Sequence, residues 1–229
     1  MNTRSKAIPA TLLLLIALLG CNPQQATSPT ETRQQSHHEQ PRAIPTATGQ
    51  QNFDYYLLNL SWSPEFCRSH PTATECAQHP TFVLHGLWPQ NLDGTYPQNC
   101  SNTPGPRDPS QHSDIYPDPG LLRHEWKTHG TCSGLAPDDF FTLAHTAFHS
   151  IVIPSELTQL THQISMPPEQ ILALFTTANP HLSRENLALS CGNNYLTAVE
   201  VCLDKSLHPT ACGPIRSCRA NTVRIPPPQ

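Results

Sequence analysis

An apolar strand leads directly into a His-Gly pair in one segment of the chain, Phe82-Val83-Leu84-His85-Gly86-Leu87-Trp88-Pro89. The apolar run favours a β-strand, and the glycine allows a sharp turn or the close approach of another group. We therefore expect His85 at the end of a strand, held by the sheet behind it, with Trp88 presenting a flat face three residues later. A capping histidine and a core tryptophan are the alternative interpretation.

Four further segments predict the secondary structure around this strand. Residues 53–60 are rich in strand-forming residues, and residues 195–203 alternate well enough for a third strand. Apolar residues recur at helical spacing after Pro137 and again after Pro168. Residues 101–120 contain five prolines, which predicts a long loop. This order predicts one α+β domain. We expect an antiparallel sheet, several packed helices, long proline-rich loops and disulfide bonds.

Residues 1–20 are similar to a lipoprotein-type signal peptide, which is removed from the mature protein. Arg4 and Lys6 precede nine largely apolar residues, 11–19, and this run is too short to span a bilayer. The chain then reads Leu-Leu-Gly-Cys up to Cys21, which resembles the lipobox of bacterial lipoproteins, where the cysteine receives a lipid. An ordinary cleaved signal peptide is the alternative, and both interpretations predict export.

Residues 21–52 are predicted to form the lipid-attachment cysteine and a disordered tether. Residues 22–52 contain seven glutamines, four prolines and only four aliphatic residues, too few to build a core. We expect the tether to hold the folded domain, residues 53–229, away from a membrane. This arrangement predicts a lipid-anchored protein of the cell envelope, in the periplasm or on the outer surface.

An even number of cysteines in an exported chain indicates a disulfide framework. Setting Cys21 aside leaves eight of the nine cysteines. Eight cysteines allow 105 pairings, so the count alone leaves the connectivity open. The chain contains no Cys-x-x-Cys pair, which argues against a zinc site. The eight cysteines that remain when Cys21 is set aside are Cys67, Cys76, Cys100, Cys132, Cys191, Cys202, Cys212 and Cys218.

The charge of the chain argues against a protein that coats nucleic acid with a broadly basic surface. Only 13% of the residues are charged, and the formal net charge is −4 at pH 7. A small, locally positive site for a polyanion is still allowed. The chain also contains 13 histidines, so moderate acid would reverse the sign of the net charge.

Ionisable side chains are concentrated in a second segment, His124-Glu125-Trp126-Lys127-Thr128-His129-Gly130-Thr131-Cys132. If it is helical, Glu125 and His129 are about 40° apart and share a face, whereas His124 and His129 are about 140° apart. The two histidines are five residues apart rather than four, which argues against the His-Glu-x-x-His pattern of zinc proteases. A solvated polar helix face is the alternative interpretation.

The two segments together resemble the two active-site segments of the ribonuclease T2 family, exported acid endoribonucleases with an α+β fold. The resemblance covers about residues 53–218 and includes Ser61-Trp62-Ser63-Pro64. It implies four disulfides: Cys67–Cys76, Cys100–Cys132, Cys191–Cys218 and Cys202–Cys212.

The resemblance implies a metal-independent endonuclease, a phosphorus-oxygen lyase that needs no cofactor. The ribose 2′-OH of single-stranded RNA is the nucleophile, which leaves DNA outside the substrate class. By motif position His129 resembles the general base, His85 the general acid and Glu125 the acidic residue that stabilises the transition state. The products are 2′,3′-cyclic phosphates, which water then opens to 3′-phosphates.

The resemblance also assigns substrate-binding residues. His124 resembles a phosphate-binding residue, and Trp88 and Tyr96 lie where the family stacks a base, although Tyr96 could also be an ordinary loop aromatic. The family commonly has lysine directly before the second catalytic histidine. Here Thr128 stands at that place and Lys127 one residue earlier, which leaves the role of Lys127 open.

Two other functions remain as alternatives to an active ribonuclease at this point. One is a catalytically weak RNA-binding or toxin-like protein of the same fold, against which the intact histidines and glutamate argue. The other is an unrelated metal hydrolase, which EDTA would inhibit. We expect a monomer whose partners are single-stranded RNA and, through the lipid at Cys21, a membrane.

Overall fold

A computed structural model describes residues 44–46, 52–78 and 81–228. The strands of this part are Tyr55–Trp62 (β1), Phe82–Gln90 (β2), Ile164–Met166 (β3), Leu187–Gly192 (β4), Tyr195–Leu203 (β5) and Val223–Ile225 (β6). The α-helices are Ser63–Ser69 (α1), Pro119–Thr128 (α2), Pro137–His149 (α3), Ser155–Thr158 (α4) and Pro168–Ala178 (α5). The predicted leader and Cys21 lie outside the described residues, as does most of the predicted tether.

The strands form one sheet in which β1 lies between β2 and β5, and β4 also pairs with β5. These pairings are antiparallel, as the sequence predicts. The short strands β3 and β6 pair with each other and join β5 through a single parallel pairing, Tyr195 with Arg224. The sheet is therefore mixed at this one position, which a three-residue strand is too short to reveal in its sequence pattern.

The central strand β1 is buried on both faces. Tyr56 and Leu58 belong to the main hydrophobic core, together with apolar residues of α3 and α5. Tyr55 and Leu57 point the other way and pack with the Cys202–Cys212 disulfide. Seven of its eight residues are buried, so β1 is a nearly continuous apolar run and forms a rigid base beside β2.

All four disulfides implied by the resemblance are present: Cys67–Cys76, Cys100–Cys132, Cys191–Cys218 and Cys202–Cys212. Each native bridge in an exported domain typically contributes about 2–4 kcal/mol to stability. Within the described ranges, no helix is both long and apolar enough to cross a membrane.

Two expectations from the sequence are wrong in detail. His85 does not end its strand, because β2 continues through it to Gln90. The predicted loop over residues 101–120 contains a short 3-10 helix, Pro109–His112, and its last two residues begin α2. Proline at the first position of a helix needs no intrahelical N–H partner, so Pro119 marks a helix start rather than more loop.

Candidate active site

A β-bulge at His85 sets the geometry of the site. In the pairing of β1 with β2, the consecutive residues Asn59-Leu60 lie opposite Gly86 and Leu84, so His85 is an extra residue without a partner. In a regular strand, residues three apart point to opposite faces. The bulge shifts this alternation, and the rings of His85 and Trp88 meet edge to face with centroids 5.3 Å apart.

Gly86 follows the bulge and allows two other groups to meet. A Cβ at this position would overlap both Nε1 of Trp88 and Oε2 of Glu125. Because the position has no side chain, the indole N–H donates a 2.8 Å hydrogen bond to that carboxylate oxygen. Close approach, and not a sharp turn, is therefore what requires glycine here.

Helix α2 supplies the second group of site residues. The Asp118 side chain caps its start by accepting a 2.7 Å hydrogen bond from the N–H of Gly120. His129 lies directly after the last helical residue, and its N–H still donates to the carbonyl of Glu125 at 3.0 Å. The predicted helical spacing is therefore retained from Glu125 to His129, although His129 itself is the C-cap.

The end of α2 is fixed by the loop that contains Cys100. The N–H of Asn99 donates to the carbonyl of Thr128 at 2.9 Å, and the next residue forms the Cys100–Cys132 disulfide. Asn99 has a φ of 53°, a left-handed conformation that asparagine tolerates better than most residues. These contacts fix the backbone on both sides of His129, at Thr128 and at Cys132.

The predicted catalytic residues come together around one buried carboxyl group. His85 Nε2 lies 3.9 Å from Oε1 of Glu125. One nitrogen of His124, one nitrogen of His129 and a carboxylate oxygen of Glu125 all lie within 4.8 Å of one another, close enough to hold a metal ion as well. The Trp88 ring lies against that of His129, with centroids 5.2 Å apart and planes 28° apart.

Burial shifts the proton affinities of the three predicted catalytic residues. It raises the pKa of Glu125, which is 0% exposed, to about 8, against the opposing effect of the Trp88 hydrogen bond. Burial, with the neighbouring charges of His124 and His85, lowers the pKa of His129 to about 4. Burial and the charge of His124 also lower the pKa of His85. In weak acid Glu125 therefore holds a proton, whereas His129 is neutral.

Three buried polar atoms near this carboxyl lack a hydrogen-bond partner among the described residues: Glu125 Oε1, His129 Nδ1 and Tyr116 Oη. Burial, aided by the charge of Glu125, raises the pKa of Tyr116. Buried polar groups are nearly always paired in native proteins. Two unpaired atoms on predicted catalytic residues therefore mark this place as a candidate site for a polar ligand.

Ser61 is a site residue whose contact with His85 was not predicted from the sequence. Its Oγ lies 3.1 Å from Nδ1 of His85, opposite the nitrogen that faces Glu125. The signal was present in β1, where Asn59 and Ser61 are polar residues two apart in an otherwise apolar strand. Alternate residues of a strand share a face, so these two polar side chains lie on the same face of the sheet.

The remaining predicted binding residues are more exposed. His124 contacts the cluster, with its ring centroid 6.3 Å from that of His129. Lys127 lies on the exposed side of α2, and its ammonium forms no ion pair within the described part of the chain. Tyr96 lies in the loop after β2 and is 53% exposed. Trp88 contacts the rings of His85 and His129, and Tyr96 is not part of this group of ring contacts.

A sequence profile of the Ribonuclease T2 family matches residues 53–212, which contain every residue of this cluster. The chain belongs to the ribonuclease T2 family. Its relatives in the family include a ribonuclease of Aeromonas hydrophila, 48% identical over 94 residues, which cover 40% of this chain and 43% of that protein. The chain thus matches less than half the length of this relative. Ribonuclease DdI of Dictyostelium discoideum is 29% identical over 173 residues, which cover 68% of this chain and 75% of that protein.

Solved structures of the family have the same fold. An RNase-related protein from Calystegia sepium superposes with a TM-score of 0.61, covering 76% of this chain and 97% of that protein at 24% identity. The α+β fold described above is therefore the fold of these structures.

Proposed function

We propose that the protein is a metal-independent endoribonuclease that cleaves single-stranded RNA by transphosphorylation. The observation that carries this proposal is the pair of imidazoles that flank the buried carboxyl of Glu125, with His85 Nε2 3.9 Å from one of its oxygens. Two histidines of different proton affinity can serve as acid and base in one reaction. RNA supplies its own nucleophile, so a covalent enzyme intermediate is not needed.

His129 is proposed as the general base. Its pKa of about 4 keeps the imidazole neutral in weak acid, so it can accept the proton of the ribose 2′-OH. The 2′ oxygen then forms a bond to phosphorus as the bond from phosphorus to the 5′ oxygen breaks. In the second stage water takes the place of the 5′-OH, the roles of the two histidines reverse, and the 2′,3′-cyclic phosphate opens to a 3′-phosphate.

His85 is proposed as the general acid that protonates the departing 5′ oxygen. Its side chain is 43% exposed, so a phosphodiester can reach it. The negative charge of the bound phosphate favours the charged imidazolium and raises the pKa of His85 toward its ordinary value. Ser61 positions the ring, because its hydroxyl contacts Nδ1 and leaves Nε2 to face the reaction.

Glu125 is proposed to act in its protonated form. With a pKa of about 8 it is a neutral acid at the pH at which His129 is a neutral base. Trp88 donates to Oε2, which leaves the partnerless Oε1 to donate a hydrogen bond to a non-bridging phosphate oxygen. Such a donor is worth most where negative charge develops in a site that excludes water.

Substrate binding is assigned to residues on the open side of the cluster. His124 would hold phosphate, with Lys127 as a further candidate, and Trp88 and Tyr96 would stack bases, each worth about 1–3 kcal/mol. A cleft of about 620 Å³ opens beside His85 and offers the apolar surfaces of Phe66 and Leu121 to a base. We also propose that the protein is a monomer, that it is exported to the cell envelope, and that a lipid at Cys21 anchors it through the tether segment.

Digestion of homopolymer RNAs in EDTA, with identification of the cyclic products, tests this function. We expect cleavage to persist without metal, and His85→Phe and His129→Phe each to lower the rate by more than tenfold. His181→Phe, a substitution at an exposed histidine outside the cluster, is the matched control. Loss of activity in EDTA would favour a metal hydrolase, in which His124, Glu125 and His129 hold the ion. Absence of cleavage under all conditions would favour an RNA-binding protein.

A further inference from the structure

A second group of metal-binding side chains lies on α3 and shares no residue with the candidate active site. His145 and His149 are four residues apart on this helix, and Asp114 reaches them from the segment that leads into α2. A nitrogen of each histidine and an oxygen of Asp114 all lie within 4.8 Å of one another. The two imidazole centroids are 4.1 Å apart, and His145 Nε2 lies 3.1 Å from Asp114 Oδ2.

Contacts on both sides of Asp114 hold its backbone against α3. The His112 ring packs at a tilt against the ring of Phe141, with centroids 5.0 Å apart, and its Nε2 lies 3.1 Å from Asp138 Oδ1. Tyr116 meets the same Phe141 ring edge to face at 5.5 Å. Residues two positions before and two positions after Asp114 are thus anchored on one helix face, and the three candidate ligands are positioned before any ion binds.

The charges around the group favour a cation. Partial burial and the charge of His145 lower the pKa of His149, while Asp114 raises it, and the net effect favours the neutral imidazole that binds metals. Asp114 supplies a negative charge. Two nearby ionisable groups, His112 and Asp138, are paired with each other at 3.1 Å.

We propose that His145, His149 and Asp114 form a binding site for a divalent transition-metal ion, with Zn²⁺ as the ion that fits best. Zinc takes imidazole nitrogen and carboxylate oxygen at about 2.0–2.2 Å, usually in tetrahedral geometry, which places its ligands about 3.3–3.5 Å apart. The three donor atoms lie within 4.8 Å of one another, and small rotations of these partly exposed side chains would bring them to that spacing. Calcium and magnesium prefer oxygen ligands, so a pair of imidazoles selects against them.

The ion would connect two elements that meet beside the catalytic helix. It ties α3 to the segment that ends at Asp118, the residue that caps α2. Protons compete with the metal for both imidazoles, so binding weakens as the pH falls.

Zinc titration of the full-length, untagged chain tests the site, with a chromophoric chelator as competitor at about pH 7.5. All variants carry His124→Ala, because the three donors of the active site also lie close enough to hold zinc. The test substitutions are His145→Ala, His149→Ala and Asp114→Asn. The matched control is His162→Ala, at an exposed histidine outside both groups.

We expect the parent and the His162→Ala control to bind one equivalent with the same dissociation constant. Each test substitution should weaken that binding at least tenfold, since even the loss of an outer-shell partner costs about 10–100-fold. Unchanged affinity in a histidine variant overturns the proposal, and unchanged affinity in Asp114→Asn overturns the three-ligand site.

A second measurement on the unsubstituted protein covers the case in which a variant does not fold. In imidazole NMR spectra, the His145 and His149 resonances should shift on zinc addition at neutral pH, and His162 should not. This shift should weaken as the pH falls, because protons compete with the metal for imidazole nitrogens. Unmoved His145 and His149 resonances at neutral pH would overturn the site without any substitution.

Discussion

Substitution of Gly86 by alanine is the sharpest test of the proposed catalytic geometry. The added methyl group would overlap Nε1 of Trp88 and Oε2 of Glu125, whereas ordinary contacts of a Cβ begin at about 3.4 Å. Both atoms must therefore move by about 1 Å, which breaks or lengthens their 2.8 Å hydrogen bond. A displacement of that size in an active site costs about 100-fold in rate.

The same substitution should also destabilise the fold. Loss of the indole hydrogen bond leaves the second oxygen of a buried carboxyl unpaired, and an unpaired buried group costs about 1–3 kcal/mol. We expect kcat/KM for homopolymer RNA to fall about 100-fold in EDTA. The free energy of unfolding in urea should fall by about 1–3 kcal/mol.

Gly192→Ala is the matched control, because a Cβ there meets only ordinary contact with Thr197 at 3.4 Å. It lies at the end of β4 and should leave kcat/KM within about twofold. A Gly86→Ala variant with the rate and stability of the wild type would refute the close approach of Trp88 and Glu125. A variant that loses stability but keeps its rate would refute the role of Glu125 instead.

Three further measurements test separate parts of the proposal. With rising pH, kcat/KM should first increase as His129 loses its proton at about pH 4. It should then decrease as His85 loses its proton, at a pH below the ordinary histidine pKa of 6.5. An optimum above about pH 7.5 contradicts this reasoning. Because Lys127 lies on the exposed side of α2, Lys127→Ala should change kcat less than about threefold, and Thr128→Lys should raise kcat several-fold. A tenfold loss of kcat in Lys127→Ala would show that the native lysine reaches the phosphate. Cys21→Ser should move the protein into the soluble fraction with unchanged specific activity on RNA, and equal distribution of both proteins between detergent-free fractions would contradict the anchor.

The long elements could be predicted from the sequence because each carries several periods of its pattern. The strand over 195–203 and the helices that begin at Pro137 and Pro168 are present with these starting points. The three-residue strands β3 and β6 could not be found, since so few residues show no alternation. Helix α2 was missed at its start because prolines elsewhere in residues 101–120 gave the whole stretch the composition of a loop.

The residue types of the candidate site were predictable, but their arrangement was not. His85 and Trp88 are three apart, and only the bulge brings both rings to one face of the sheet. The bulge is visible in the spacing of the large buried apolar residues of β2. Phe82 and Leu84 are two residues apart, but the next one, Leu87, is three residues further on. Protonation of Glu125 in weak acid depends on burial by residues distant in sequence, so no local pattern could predict it.

Formation of the Cys100–Cys132 disulfide depends on the compartment that the chain occupies. The cytosol keeps thiols reduced, so a newly made chain lacks this bond until it reaches an oxidising environment. Cys132 lies three residues after His129, and without the bond the turn that follows the proposed base is held to its loop by weaker hydrogen bonds. Under the proposed function, the active site would therefore be completed only outside the cytosol, away from the messenger RNA of the cell.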